Sequence, residues 1–216
     1  MDVKSIYARR FTPDVEFRDA MWKILCRDFF QQYAIDTGHV LEIGAGYCEF
    51  INNIRSKHKT ALDINPDTRN YAASDVTIVL NSTTQMKDVA DNSVDLVFAS
   101  NLFEHLTRDE ILATFREVYR VLVPGGRFMV LQPNIRFCAK DYWMFFDHIT
   151  PIDDRAFVEA LEITSFEIVE VIDRFLPYTT KSRLPKSLFL IQLYLRLRVA
   201  WRFFGQQSFI LSKKPK

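Results

Sequence analysis

Val40-Leu41-Glu42-Ile43-Gly44-Ala45-Gly46-Tyr47-Cys48-Glu49-Phe50 is the stretch that decides the fold. A short apolar run over 39–43 reads as a strand, two glycines turn the chain, and a helix over 48–57 follows. Glycine lets a backbone approach a ligand closely and take conformations that a Cβ forbids. The acid two residues before the first glycine narrows the reading. Glu42 at a strand end suits a cationic group, whereas a phosphate-binding turn has little use for a carboxylate there. A dinucleotide fingerprint also requires glycine at position 49, where this chain has Glu49.

Outward from this turn, strands and helices alternate. An amphipathic helix is predicted over 17–33, with Phe17, Met21, Ile24, Leu25 and Phe29 at helical spacing, broken by Asp36-Thr37-Gly38. Strands are predicted over 60–64, 76–80, 94–100, 127–131, 166–175 and 208–212. Helices are predicted from Pro66, over 107–122 and over 153–161, and a turn at Pro124-Gly125-Gly126. Such alternation implies a mostly parallel, doubly wound α/β sheet, with ligands outside the carboxyl ends of the strands. Asp63 closes the strand after the glycine turn, about 20 residues on, where an acid bonds ribose hydroxyls. No internal repeat or low-complexity segment is found.

Four segments, 40–46, 61–66, 91–106 and 120–132, occur in the order found in class I S-adenosylmethionine-dependent methyltransferases. Among them are Asp91-Asn92-Ser93-Val94-Asp95-Leu96-Val97, Asn101-Leu102-Phe103-Glu104-His105-Leu106 and Arg120-Val121-Leu122-Val123-Pro124-Gly125-Gly126. Over residues 38–135 the chain resembles that family, in its small-molecule, type 11-like branch. The resemblance implies a Rossmann-like sheet of seven strands with an antiparallel last strand. It further implies one domain: an N-terminal helical cap (1–37), a cofactor-binding core (38–135) and a substrate side (136–216). Glu42, Gly44, Ala45 and Gly46 would hold the methionine end of S-adenosylmethionine and Asp63, followed by Ile64, its ribose. The loop Asn81-Ser82-Thr83 would face adenine, through Ser82, Thr83 and backbone groups in place of the acid many members carry. Cys48 stands where many members have a third glycine and reads as a packed structural thiol.

Methyl transfer from a sulfonium needs position and dryness more than activation. An oxygen or nitrogen acceptor usually also needs a base, often histidine. His105, just past the fourth strand, and His148, in Tyr142-Trp143-Met144-Phe145-Phe146-Asp147-His148, are the two candidates. Asn101 and Asn134, each just past a strand end, are candidate polar contacts. For the Glu104-His105 pair, capping or packing is the alternative role. His39 and His58 fall at the opposite ends of their strands.

Composition bounds the rest. The chain has 216 residues, 48% hydrophobic, with 19 Phe and a mean hydropathy of −0.07. That describes a globular domain with an aromatic core, or an apolar surface with a purpose. Three scattered cysteines without a Cys-x-x-Cys pair, and four dispersed histidines, predict no disulfide framework and no metal site. Reduced thiols and the absence of an apolar stretch among the first residues predict a cytoplasmic protein. Net charge is +1, but residues 174–216 hold ten Lys and Arg and no acid, leaving −9 on the remainder. Residues 188–204 include 13 apolar of 17, interrupted by Gln192, Arg196, Arg198 and Arg202. A helix over 187–204, inserted before the last strand, is too charged to span a bilayer. Three roles fit it: lying on an anionic membrane through 181–204 and serving a lipid-linked or glycolipid acceptor, packing as a lid, or forming a dimer face. The interleaved aliphatics argue against nucleic acid. The sequence leaves the oligomeric state unassigned. Two other classes stand beside the enzyme: a non-catalytic cofactor-binding or membrane adaptor, and an NAD-dependent oxidoreductase, against which Glu42 and Glu49 speak.

Overall fold

The computed structural model describes residues 15–178 and 187–216. Seven strands form one sheet in the order β3-β2-β1-β4-β5-β7-β6. They are β1 (His39–Ile43), β2 (His58–Asp63), β3 (Val76–Leu80), β4 (Val94–Ser100), β5 (Leu122–Pro133), β6 (Glu167–Ile172) and β7 (Gln207–Lys213). β1 pairs in parallel with both β2 and β4, and β7 pairs antiparallel with both β5 and β6. The expected seven-stranded, mostly parallel sheet with an antiparallel last strand is therefore present. Its order reverses between β1 and β4, so the carboxyl ends of these two strands border the crevice where such sheets bind ligands.

The helices are α1 (Val15–Asp28), α2 (Glu49–Asn53), α3 (Arg108–Val121), α4 (Ile135–Tyr142), α5 (Asp154–Ile163), α6 (Leu188–Arg196) and α7 (Arg198–Phe204). Thr107 and Glu110 close a reciprocal capping box at the start of α3, satisfying amides that the helix leaves open. The predicted 17–33 helix ends at Asp28 and continues as a 3-10 turn, Phe30–Tyr33. The predicted 48–57 helix is shorter, Glu49–Asn53, because Ile54 turns to extended backbone. α4 was not anticipated: Asn134 caps it by accepting from the Arg136 amide. The predicted single helix over 187–204 is two, broken at Leu197 (φ −99°, ψ 77°). Residues 1–14 of the N-terminal cap and 181–186 of the basic segment lie outside the described residues.

The phenylalanines fill both faces of the sheet. On one face Trp22, Phe29, Phe30, Phe50, Phe98 and Phe209 join α1, α2 and the sheet. On the other, Phe103, Phe115, Phe128 and Phe157 join α3 and α5 to it. Phe146, Phe189, Phe203 and Phe204 stay exposed, so the aromatic core does not take up all of the Phe.

Phe30 is fully buried and touches the rings of Trp22, Phe29, Phe50, Phe98, Phe175 and Phe209. Phe30→Ala is expected to cost about 3–5 kcal/mol, read by urea unfolding. A loss under about 1 kcal/mol contradicts this account of the core.

Candidate functional site

The turn after β1 is built from left-handed backbone. Gly44 (φ 65°) and Gly46 (φ 48°) occupy it, and a Cβ on Gly44 would stand 2.9 Å from Leu102 Cδ1. Cys48 is also left-handed (φ 58°), a conformation costly for a non-glycine residue, and it caps α2 with its backbone. Its thiol is buried, aimed at the Thr68 carbonyl, and burial pushes it up to about 12, as expected of a packed, unreactive thiol.

Two acids lie beneath this turn. Asp63 Oδ2 accepts the Gly46 amide at 2.7 Å and Oδ1 accepts the Asn65 amide at 2.8 Å. Glu42 Oε2 accepts the Ile51 amide at 3.0 Å. Both side chains are buried. Burial raises both carboxyls above their usual range, and for Glu42 the nearby acids Glu49 and Asp63 push the same way. Glu49 itself is held by Arg18 at 2.6 Å. Beside Asp63, Ile64 is exposed, an apolar surface next to the carboxylate expected at the ribose.

The expected adenine contacts divide. Ser82 bonds Thr84 at 2.8 Å within the loop. Thr83 is buried and turned away, its hydroxyl 3.0 Å from that of Thr114 on α3, so its side chain serves packing. Asn101 is left-handed (φ 49°), exposed at the end of β4, and its amide donates to the Leu131 carbonyl. Asn134 is fully buried, bonded to Asp154 and to the Asp173 carbonyl, which makes it a structural residue and not a ligand contact. His39 bonds the Ser93 carbonyl and Thr60, and with His58 lies at the amino ends of β1 and β2, away from the turn.

His105 and His148, 43 positions apart in sequence, come together. Their ring centroids are 4.9 Å apart and nearly perpendicular. His105 Nδ1 is 3.1 Å from the Asp147 carbonyl and 3.3 Å from its carboxylate. His148 Nδ1 is 3.5 Å from the Tyr178 hydroxyl. Glu104 does not cap α3; Thr107 does. Instead its side chain is buried against this pair, with one carboxylate oxygen lacking a hydrogen-bond partner. Its carbonyl accepts the amides of Ile149 and Thr150, which fastens the 147–150 segment to the end of β4. Sequence reading passed over Glu104, Asp147 and Tyr178 as members of one cluster. Only the adjacency of Glu104 to His105 and of Asp147 to His148 hinted at it.

The methyltransferase domain family model matches residues 41–130. A demethylmenaquinone methyltransferase from Symbiobacterium thermophilum is 34% identical over 79 residues, 32% of this chain and 32% of that protein. That match spans about a third of the curated relative's length. Among solved structures, a SAM-dependent methyltransferase from Archaeoglobus fulgidus aligns with TM-score 0.69 at 20% identity, over 94% of this chain and 99% of that one. The N-methyltransferase NodS from Bradyrhizobium japonicum, in complex with S-adenosyl-L-homocysteine, aligns with TM-score 0.59 at 13% identity, over 83% and 79%. At these identities the structural likeness establishes the fold.

Because burial raises the Glu42 carboxyl above its unfolded value, folding takes up a proton there. Stability from this group is full below the unfolded pKa of about 4.3 and declines as pH rises toward the folded value. Glu42→Gln removes that decline. The variant is expected to gain stability over the wild type at pH 7 and to gain none at pH 4, measured by chemical denaturation. Equal differences at the two pH values contradict it.

Proposed function

We propose that this chain, a member of the class I S-adenosylmethionine-dependent methyltransferase family, transfers the methyl group of S-adenosylmethionine to a small amphipathic acceptor. The observation that carries the reading is the Asp63 carboxylate bonded to the Gly46 amide at the switch point, with Glu42 buried beside it. This donor set fits the group: two desolvated carboxylates whose pKa values are raised suit a ligand that brings positive charge. Glu42 and the Gly44, Ala45 and Gly46 backbone would hold the methionine end. Asp63 would take the ribose hydroxyls, its oxygens having lone pairs beyond those used by Gly46 and Asn65. Ile64 would cover one adenine face, Ser82 and Asn101 bordering the pocket. Bound S-adenosylmethionine supplies a methyl group already activated by its sulfonium. The chain then has to align the acceptor with that methyl and exclude water. His105 and His148 stand on the acceptor side and act on the acceptor's reacting atom.

The lipid-linked or glycolipid class is our choice of acceptor. Trp143, Met144, Phe146 and Ile149 are exposed around the histidine pair. α6, α7 and the Leu197 break between them expose Phe189, Leu193, Leu197, Val199, Phe203 and Phe204 among Arg196, Arg198 and Arg202. An apolar surface edged with arginine matches the interface of an anionic membrane, at whose inner face the protein would work peripherally. Among the described residues, no helix is long and apolar enough to cross a membrane.

The test is transfer of a labelled methyl group from S-adenosylmethionine into a cell lipid extract, with flotation on anionic vesicles alongside. Label is expected in the lipid fraction. Phe203→Glu is expected to weaken flotation at least about tenfold, in line with about 1.5–3 kcal/mol for burying a large apolar side chain. Label in neither lipid nor water-soluble acceptors contradicts the transfer. Label only in water-soluble acceptors, with flotation unchanged in the variant, contradicts the lipid assignment.

A further inference from the structure

Glu104, His105 and His148 form a cluster that methyl transfer from a sulfonium does not by itself require. One ligand atom from each lies within 4.8 Å of the other two. Glu104 is 1% exposed, yet one of its carboxylate oxygens has no hydrogen-bond partner. The carboxamide of Gln132, buried at the end of β5, acts on Glu104 but has neither end in a well-formed bond. Leaving a buried carboxylate so poorly satisfied is costly. A cation is the direct way to offset that cost.

His105 is oriented for one. His105 Nδ1 faces the Asp147 carbonyl at 3.1 Å, so the proton resides on Nδ1 and the Nε2 lone pair points elsewhere, with Nε2 4.0 Å from Glu104 Oε1. Donation of the other ring N–H to a carbonyl or carboxylate is the usual second contact of a metal-binding histidine. The Tyr178 hydroxyl lies 3.5 Å from His148 Nδ1. The backbone bonds from Ile149 and Thr150 to the Glu104 carbonyl hold the two halves of the cluster together.

We propose that Glu104, His105 and His148 bind a divalent transition-metal cation that coordinates the acceptor's hydroxyl oxygen. Two imidazoles and a carboxylate suit zinc, iron(II), manganese or cobalt, and three protein ligands leave a position open for substrate. Metal–ligand bonds of about 2.0–2.2 Å require the three atoms to draw in by small side-chain rotations. The cation stabilises the acceptor as an oxyanion, its proton passing to solvent. The oxyanion then forms an oxygen–carbon bond with the methyl as the carbon–sulfur bond breaks, and the donor leaves as S-adenosylhomocysteine. The site itself rests on side-chain geometry; this use of it rests on the methyltransferase reading.

The experiment uses the full chain without an affinity tag, stripped with a chelator and titrated with Co²⁺ by calorimetry and visible absorption. S-adenosylhomocysteine is titrated separately. One Co²⁺ per chain is expected, with a d–d spectrum of low coordination number. His105→Ala and His148→Ala should each weaken it at least about tenfold, while binding of S-adenosylhomocysteine persists and reports an intact fold. A wild type that takes up no Co²⁺, or a Co²⁺ affinity equal in both variants, overturns the site even if S-adenosylhomocysteine binds. Co²⁺ binding lost in the variants, in a chain that never binds S-adenosylhomocysteine, supports the site and removes the methyltransferase reading instead.

Discussion

The hydrogen bond from the Gly46 amide to the Asp63 carboxylate joins the ends of β1 and β2 across the mouth of the sheet. β1 is hydrogen-bonded on both sides, so its last residue has nowhere to go but a sharp turn out of the sheet plane. Gly44 and Gly46 supply the left-handed conformations, and Asp63 holds the resulting loop from below. Cys48 follows in the same conformation and starts α2, which carries Phe50 into the aromatic core beneath α1. The Gly44 and Ala45 amides, both bonded to the Leu62 carbonyl, share the holding of the turn with this carboxylate.

That carboxylate is kept at a cost. Asp63 and Glu42 are both desolvated and near one another, and their raised pKa values record it. Backbone amides offset part of the penalty, and a cationic ligand offsets more. A third desolvated acid, Glu104, lies past the end of β4, raised by burial and lowered by His105. The edge of the sheet therefore carries two separate concentrations of buried carboxyl groups. One suits a sulfonium cofactor, and the other an acceptor held through a metal. Beside Glu104 the exposed apolar side chains Trp143, Met144, Phe146 and Ile149 form an apolar boundary.

The strands were the most legible part of the sequence. β1, β3 and β4 have the predicted limits, because each is a short, mostly apolar run that stops at polar or glycine-bearing loops. Helices were legible where an amphipathic face and a capping residue coincide, as in α3. They were misjudged where backbone geometry decides, as at Ile54 and Leu197. α4 was missed although Asn134, after Pro133, marks its start, because its eight residues carry no long amphipathic repeat. For the candidate site, the glycine turn and Asp63 are adjacent along neighbouring strands, so spacing alone brings them together. Thr83 and Asn134 drew attention by position, yet their partners Thr114 and Asp154 lie on helices whose placement no local pattern announces. The joining of His105 to His148 is likewise a long-range consequence of the Glu104 carbonyl binding the 149–150 amides.

The central claim is that the turn and Asp63 form an S-adenosylmethionine pocket, and calorimetry tests it most directly. S-adenosylhomocysteine is titrated into the wild type and into Asp63→Ala. The account predicts one site per chain, weakened at least about tenfold in the variant, as loss of hydrogen bonds to a charged group worth about 1.5–3 kcal/mol implies. No binding to a folded wild type, or equal affinity in the two proteins, contradicts it.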